Sequence, residues 1–383
     1  MPLDPVDLNG KKILITGPSG QVAEPVVAAL AGTSDVYALA RFGKAEDRDR
    51  IAALGATCVS GDLADPAGLA ELPDDFDYVL NFAVAKSGDF VYDLAANAEG
   101  VGRLMLHCRR VEAFLHFSSA AVYEYGGQEP RVENAPLGDN HRAMFPTYSI
   151  AKIAAETVCR FVARQFGIPA IVARLSVPYG DNGGWPYIHL MMMKEGIPID
   201  LHPERPNYYN LLHVDDYLEK IPRLLAAADS EVKTVNFGGS QRVSIEEWCA
   251  WLSELTGLEP VFRENPEAFG SLSVDTTLMH ELLGPTSVDW KTGVRRLVQS
   301  LAPELRRAAE ETAGGAGASV EKRGPADSRP LTARPRGAAR FARGRVAAPG
   351  EMTRVPREPR LAANEPGGPE LQYERRGTRA CTT

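Results

Sequence analysis

The sequence predicts an α/β protein built on a doubly wound parallel sheet, and three observations carry that expectation. Short apolar runs of strand length alternate with helical stretches. The first run ends in a glycine turn that leads into a helix, and a tyrosine and a lysine stand four residues apart in Tyr148-Ser-Ile-Ala-Lys152. Alternation of this kind implies βαβ units, which place helices on the faces of a parallel sheet.

The first element, Lys11-Lys-Ile-Leu-Ile-Thr-Gly-Pro-Ser-Gly20, runs an apolar strand into a turn, and residues 21–31 read as the helix behind it. That sequence of elements brings backbone N–H groups and the positive end of a helix dipole to where a pyrophosphate can sit, the Rossmann-type arrangement. Gly17 makes the tight turn, Gly20 lets the backbone approach the phosphate, and Ala23 is the third small position, for contact between helix and strand. Ser19, Gln21 and Val22 complete the candidate cofactor turn. Further strands are expected at 36–40, 57–60, 78–83, 114–118 and 170–174.

A dinucleotide in such a sheet lies across the carboxyl ends of the strands. Three ends carry suitable residues. Gly61-Asp62-Leu63 is placed to bond an adenine edge. Asn81-Phe-Ala-Val-Ala85 puts Phe82, Ala83 and Ala85 beside the cofactor, and Ser118-Ser119 closes the run that begins at Phe114. Beyond them, a helix would stack Tyr148 and Lys152 on one face. A free phenol titrates near ~10, and a neighbouring ammonium favours the phenolate, so the pair can move protons at neutral pH.

Together these landmarks resemble the extended short-chain dehydrogenase/reductase family, the NAD-dependent epimerase/dehydratase type, over about residues 9–305. The resemblance rests on order and spacing: Thr16-Gly-x-x-Gly20, Gly61-Asp62-Leu63, Asn97-x-x-Gly100, Phe117-Ser-Ser-Ala-Ala-Val-Tyr123, Tyr148-x-x-x-Lys152, Arg174-x-x-x-x-Tyr-Gly180, His213-Val-Asp-Asp216 and Asn236-x-Gly-Gly239. It implies that Ser119 hydrogen-bonds the substrate oxygen and that Tyr148 is the general acid/base, working as hydride passes between substrate carbon and nicotinamide. It also implies that Lys152 lowers the Tyr148 pKa and holds the nicotinamide ribose. Asn97 matches a helix asparagine that supports the proton relay, with purely local bonding as the alternative.

The strand at 36–40 ends Ala40-Arg41, where NAD-selective relatives keep an acid for the ribose hydroxyls. No carboxylate stands there, and Arg41, with Lys44 nearby, can receive a 2′-phosphate. NADP(H) is therefore the favoured cofactor and NAD(H) the alternative.

Departures from the family pattern narrow the reaction. Sugar dehydratases place Asp-Glu after the catalytic threonine, whereas this chain has Ala120-Ala121, so 4,6-dehydration has no evident catalyst. Where nucleotide-sugar epimerases hold the diphosphate with an asparagine and an arginine, Val177 and Tyr209 stand, with Arg205 upstream as a possible replacement cation. Trp185-Pro-Tyr187, Leu190-Met-Met-Met193, Ile197 and Tyr208-Tyr209 supply aromatic and pliable apolar surface, suited to a ligand or to a core. The first expectation is thus an oxidoreductase acting on an alcohol or ketone of a small, non-nucleotide metabolite. The alternative is a sugar or nucleotide-sugar epimerase with tightly bound NAD, and the third is a non-catalytic nucleotide-binding protein, against which the intact Ser119, Tyr148 and Lys152 argue.

His213-Val-Asp-Asp216 reads as a helix start rather than a metal cluster, and His189, His202 and His280 lack zinc spacing, so no metal is assigned. Five scattered cysteines without a Cys-x-x-Cys pattern suit reduced, buried thiols in a cytoplasm. At 44% hydrophobic and 24% charged residues, the chain can bury a substantial core and keep a mixed surface. No signal peptide or membrane span is expected, and a net charge of -8 gives nucleic acid no broad basic surface.

Charge is uneven, however: residues 321–383 carry fourteen basic against seven acidic side chains, which leaves -15 on residues 1–320. Residues 313–383, rich in Arg, Pro, Gly and Ala, are expected to be a disordered tail. Before it, residues 9–180 and 211–240 are expected to form the nucleotide-binding domain, and residues 181–210 and 241–312 a smaller substrate lobe, with substrate between the two. The resemblance also implies a homodimer through the Tyr148 helix, for which Ile153, Val158, Phe161 and Val162 are candidates.

Overall fold

In the computed structural model, which describes residues 1–305, the apolar runs become one parallel sheet of seven strands. These are β1 (Lys12–Thr16), β2 (Asp35–Ala40), β3 (Thr57–Ser60), β4 (Tyr78–Asn81), β5 (Ala113–Ser119), β6 (Ala170–Leu175) and a last strand, Lys233–Phe237. Across the sheet the order is Lys233–Phe237, β6, β5, β4, β1, β2, β3. The chain therefore builds outward from β1 to β3, returns to place β4 on the other side of β1, and builds outward again. The switch between β1 and β4 leaves a crevice beyond their carboxyl ends.

Both faces of the sheet are covered, which explains why the strands read as unbroken apolar runs. Ten helices are described: α1 (Ala23–Leu30), α2 (Ala45–Ala53), α3 (Phe90–Leu94), α4 (Gly100–His107), α5 (Tyr148–Phe166), α6 (Trp185–Glu195), α7 (Val214–Ala226), α8 (Ile245–Thr256), α9 (Thr277–Leu283) and α10 (Trp290–Leu301). Ile13 and Ile15 of β1 join a core with Val26, Val27, Tyr217, Leu224 and Met279 from α1, α7 and α9. Leu14, on the opposite face, joins Leu104, Met105, Ala155 and Cys159 from α4 and α5. A third core unites α6, α8 and α10 around Trp248, Tyr209, Leu190 and Leu297. It also takes in Ala120, Val122 and Tyr123, so the chain leaving β5 is anchored in this third core.

Local chemistry accounts for the differences from the expected elements. The first helix starts at Ala23 rather than at residue 21, because the Ala23 and Glu24 N–H groups are the first to bond back to Gly20. The strand expected at 78–83 stops at Asn81, since the Ala83 N–H is turned to Thr16 Oγ1 at 3.0 Å. His213 caps α7, its Nδ1 accepting from the Asp215 N–H at 3.2 Å, and Asp216 accepts from the N–H groups of Ser287 and Val288. Those roles are structural.

Cys108, Cys159 and Cys249 are buried and free, and Cys58 is half-buried. Cys381, residues 306–312 of the expected substrate lobe and the expected tail at 313–383 lie outside the described residues. Of the residues offered for a dimer contact, Ile153, Val158 and Val162 pack inward, and Phe161 alone stands out at 64% exposure. No described helix is long and apolar enough to cross a membrane.

Candidate active site at the crevice of the sheet

The glycine turn is built as the sequence requires. Gly17 lies at φ +63°, and a Cβ on it would come within 3.0 Å of the Ala83 Cα, so only glycine fits between the first turn and the end of β4. A cleft of about 350 Å³ opens there across the ends of β1, β2 and β4. Gly17, Ser19, Gly20, Arg41, Asp62, Leu63, Phe82, Ala83, Ala85 and Asn97 all line it, whereas Gln21 and Val22 line the adjoining cavity that holds Tyr148. A nicotinamide dinucleotide suits this setting, because a Cβ at Gly17 would fill the cradle beside Ala83 and the turn lies at the foot of α1.

Tyr92, which no sequence motif marks, organises the far end of the cleft. Its hydroxyl donates to Asp62 Oδ2 at 2.9 Å and accepts from Arg41 Nη1 at 2.5 Å, and the guanidinium lies 5.8 Å from the ring centroid. The other Asp62 oxygen accepts from the Ala64 N–H at 2.9 Å. Both carboxylate oxygens are thus engaged within the protein, and Arg41 is held rather than loose in solvent. Lys44 does not line the cleft.

At the end of β5, Ser119 enters the crevice, its Oγ accepting from the Ala121 N–H at 3.1 Å. Tyr148 opens α5 and shares a cavity of about 470 Å³ with Ser119. Burial pushes the Tyr148 phenol above its ordinary 10.0, and a hydrogen bond with Ser119 partly offsets this. The expected lowering by Lys152 is therefore not what the geometry gives. Lys152 lies one turn along the helix, buried, and its Nζ donates to the Phe117 carbonyl at 2.8 Å. Spacing sets which residues share a face, but burial decides the charge.

One turn further, Glu156 completes the ladder. Its buried carboxylate accepts from Ser118 Oγ at 2.6 Å, from Arg174 Nε and Nη2 at 2.9 and 2.7 Å, and from Arg160 Nη1 at 3.3 Å. Burial would raise the Glu156 pKa, but these donors more than offset it and hold the group below 4.5. Burial lowers Lys152 to about 8, against an opposing pull from Glu156.

The sign of that shift yields a prediction. Below pH 8 the lysine is charged in both folded and unfolded chains, so the fold bears the cost of a buried ammonium. As pH rises from about 8 towards 10.5, the folded protein loses its proton first and that cost is withdrawn. A Lys152→Met variant should therefore gain on the order of 2 kcal/mol of stability at pH 7, with the gain vanishing above ~10.5. Denaturant titrations at both pH values check it, and an unchanged or lower midpoint at pH 7 contradicts it.

Asn97 is consumed locally. Its Oδ1 accepts from the Ala85 N–H at 2.9 Å, and its Nδ2 donates to the carbonyls of Ala85 and Asp93, both at 2.7 Å. It sits in one turn of π-helix, Ala95–Glu99, between α3 and α4, and it fixes the Ala83–Ala85 wall of the cleft.

The cavity around Ser119 and Tyr148 is largely apolar. Ala120, Ala121, Val177, Trp185 and Tyr209 line it, and among the described residues no carboxylate does. Tyr209 is buried, with its hydroxyl on the Gly270 carbonyl at 2.8 Å, while Arg205 is exposed and lines neither this cavity nor the cleft at the glycine turn. Of the apolar segment, Trp185, Ile188 and Tyr209 face the cavity, whereas Leu190 and Met193 are core. Two further residues that no motif revealed complete the site. His141 stacks on Phe269 with centroids 4.1 Å apart, and Phe269 stacks on Trp185 at 5.9 Å.

Residues 13–238 match the NAD dependent epimerase/dehydratase family. Among curated proteins, the uncharacterized UDP-glucose epimerase YtcB of Bacillus subtilis is 23% identical over 203 residues, 50% of this chain and 62% of that protein. The chain thus spans under two thirds of that relative's length. Among solved structures, the UDP-glucuronic acid 4-epimerase of Bacillus cereus, in complex with UDP-glucuronic acid and NAD, superposes with a TM-score of 0.64 at 18% identity, covering 79% of this chain and 99% of that one. DesIV, the dTDP-glucose 4,6-dehydratase of Streptomyces venezuelae with NAD bound, gives 0.65 at 21% identity over 78% and 99%. At these identities the structures share the fold.

Proposed function

Because this chain belongs to the NAD dependent epimerase/dehydratase family, we propose that it is an NAD-dependent epimerase acting on a hydroxyl of a nucleotide-activated sugar. The observation that carries this reading is the meeting of Ser119 and Tyr148 in one cavity beside the glycine-turn cleft, with Lys152 behind them on the same helix face. Names of relatives support the substrate class, since UDP-sugars recur in them. They also favour NAD over the NADP(H) expected from Ala40 and Arg41, because the solved relatives carry NAD.

When bound, the nicotinamide supplies the acceptor and then the donor of hydride. Ser119 holds the reacting oxygen, and Tyr148, whose phenolate the positive charge of an oxidised nicotinamide would favour, removes its proton as the carbon is oxidised and returns it after the ketone has turned over. The buried Lys152 keeps positive charge near that exchange, and Glu156 keeps the lysine's helix face fixed against β5 and β6. Dehydration is disfavoured, because Ala120 and Ala121 supply no acid or base for the loss of water.

Incubation of the enzyme with UDP-glucose, UDP-galactose, UDP-glucuronic acid and dTDP-glucose, followed by proton NMR, tests the reading. Interconversion of epimers without net absorbance change at 340 nm is expected. A second reading, a dehydrogenase/reductase of a less polar metabolite, is favoured by Val177 and Tyr209, which bring no cation or free amide to a diphosphate. Stoichiometric NADH accumulation, with no epimer, would support that reading instead.

Cofactor choice makes its own prediction. With Arg41 engaged by Tyr92, Arg41→Ala should weaken NADPH and NADH binding to a similar, modest degree, about threefold, by fluorescence titration. A loss of more than tenfold confined to NADPH would restore the 2′-phosphate role.

A further inference from the structure

His141 has no part in the scheme above, yet its surroundings fix its chemistry. Asn140 Nδ2 donates to the Tyr123 carbonyl at 2.6 Å. A carbonyl only accepts, so the amide cannot be flipped, and its Oδ1 is left facing His141 Nδ1, to which it is hydrogen-bonded. That oxygen also only accepts. Nδ1 must therefore carry the hydrogen, and Nε2 of the neutral ring is an acceptor.

The ring is held rigidly. It is 8% exposed, stacked on Phe269, and 6.2 Å from the Tyr148 ring centroid. It lines the cavity that holds Ser119 and Tyr148 and also a second chamber of about 310 Å³, formed with Tyr125, His202, Phe269 and Leu272. Its Nε2 has no hydrogen-bond partner among the described residues and, unlike the unpartnered Nε2 of His116 and His213, is not sealed in the interior. Burial lowers the imidazole pKa to about 4, so the acceptor persists at neutral pH.

We infer that His141 is a substrate-binding residue at the throat between the two chambers, presenting Nε2 as an acceptor to a hydroxyl of the substrate. A substrate that spans both chambers must pass this ring, and one that offers a hydroxyl there satisfies a nitrogen that otherwise loses its partner on desolvation. The group selected is a neutral donor. A carboxylate or a keto oxygen at the same place would meet the Nε2 lone pair and be disfavoured. The inference rests on the proposed function only in taking the ligand to be a hydroxyl-bearing molecule such as a nucleotide sugar.

The test uses the full chain with bound cofactor and ¹⁵N-labelled imidazoles, with His141 assigned by difference from His141→Phe. Long-range ¹H–¹⁵N correlation is expected to show the Nδ1–H tautomer, with the Nε2 resonance shifting on saturation with UDP-galactose. His141→Phe should bind UDP-galactose about tenfold more weakly while retaining the cofactor. An Nε2–H tautomer overturns the inference, as does unchanged affinity in His141→Phe. Should the unsubstituted enzyme fail to bind UDP-galactose, the nucleotide-sugar reading falls separately, and an Nε2–H tautomer would still overturn the inference on its own.

Discussion

Replacing Tyr148 by phenylalanine is expected to lower turnover by about 10²–10⁴-fold, the usual worth of a positioned acid/base, while cofactor binding changes little. Of the two phenols that line the cavity with the Ser119 hydroxyl, Tyr209 is committed to the Gly270 carbonyl, and among the described residues no carboxylate lines that cavity to replace Tyr148. Its ring also packs 6.0 Å from Phe145 at the start of α5, contacts that phenylalanine preserves, so the fold should be kept. Ser119→Ala should cost less, since the substrate oxygen would keep its proton partner and lose only the hydrogen bond that orients it. Steady-state rates and cofactor titrations on both variants separate chemistry from binding. Full activity in Tyr148→Phe would remove the proposed proton transfer, and loss of cofactor binding in both would make the residues structural.

Glu156→Ala is expected to be the most destabilising single change near the site, by about 3–5 kcal/mol, because it leaves the buried Arg174 guanidinium without its counter-charge. Ser118 loses its acceptor in the same step. The pH dependence follows from the lowered carboxyl. Its contribution is present above 4.5 and is lost as pH falls through the folded value below that, where the folded chain must bind a proton that the unfolded chain already holds. Urea denaturation of wild type and variant at pH 7 and at acid pH should converge as the carboxylate is protonated. A pH-independent difference would mean that packing rather than charge holds Arg174.

The sheet was legible because its central strands are local and buried on both faces, as the Ile13-Leu14-Ile15 run illustrates. The glycine turn was legible because a positive φ and a close approach leave glycine no substitute. Residues joined only by long-range folding were not. Tyr92 reaches Asp62 across thirty positions, and His141 meets Phe269 from a separate loop, so neither carries a local pattern. Charge partners were equally hidden. Arg41 read as a receiver for a 2′-phosphate before Tyr92 stood beside it, and Lys152 read as a cation that lowers the phenol before its burial was visible. The apolar stretch at 185–193 could be divided between core and cavity only once the helix phase of α6 was known.

The most direct measurement is the identity of the nucleotide that the full chain retains through purification, released by denaturation and weighed by mass spectrometry. An epimerase that oxidises and reduces the same carbon within one turnover should hold its cofactor, so close to one equivalent of NAD or NADH per chain is the expected result. A protein that emerges empty and then binds NADPH in preference to NADH would contradict the account and point to a reductase that exchanges its cofactor in every cycle.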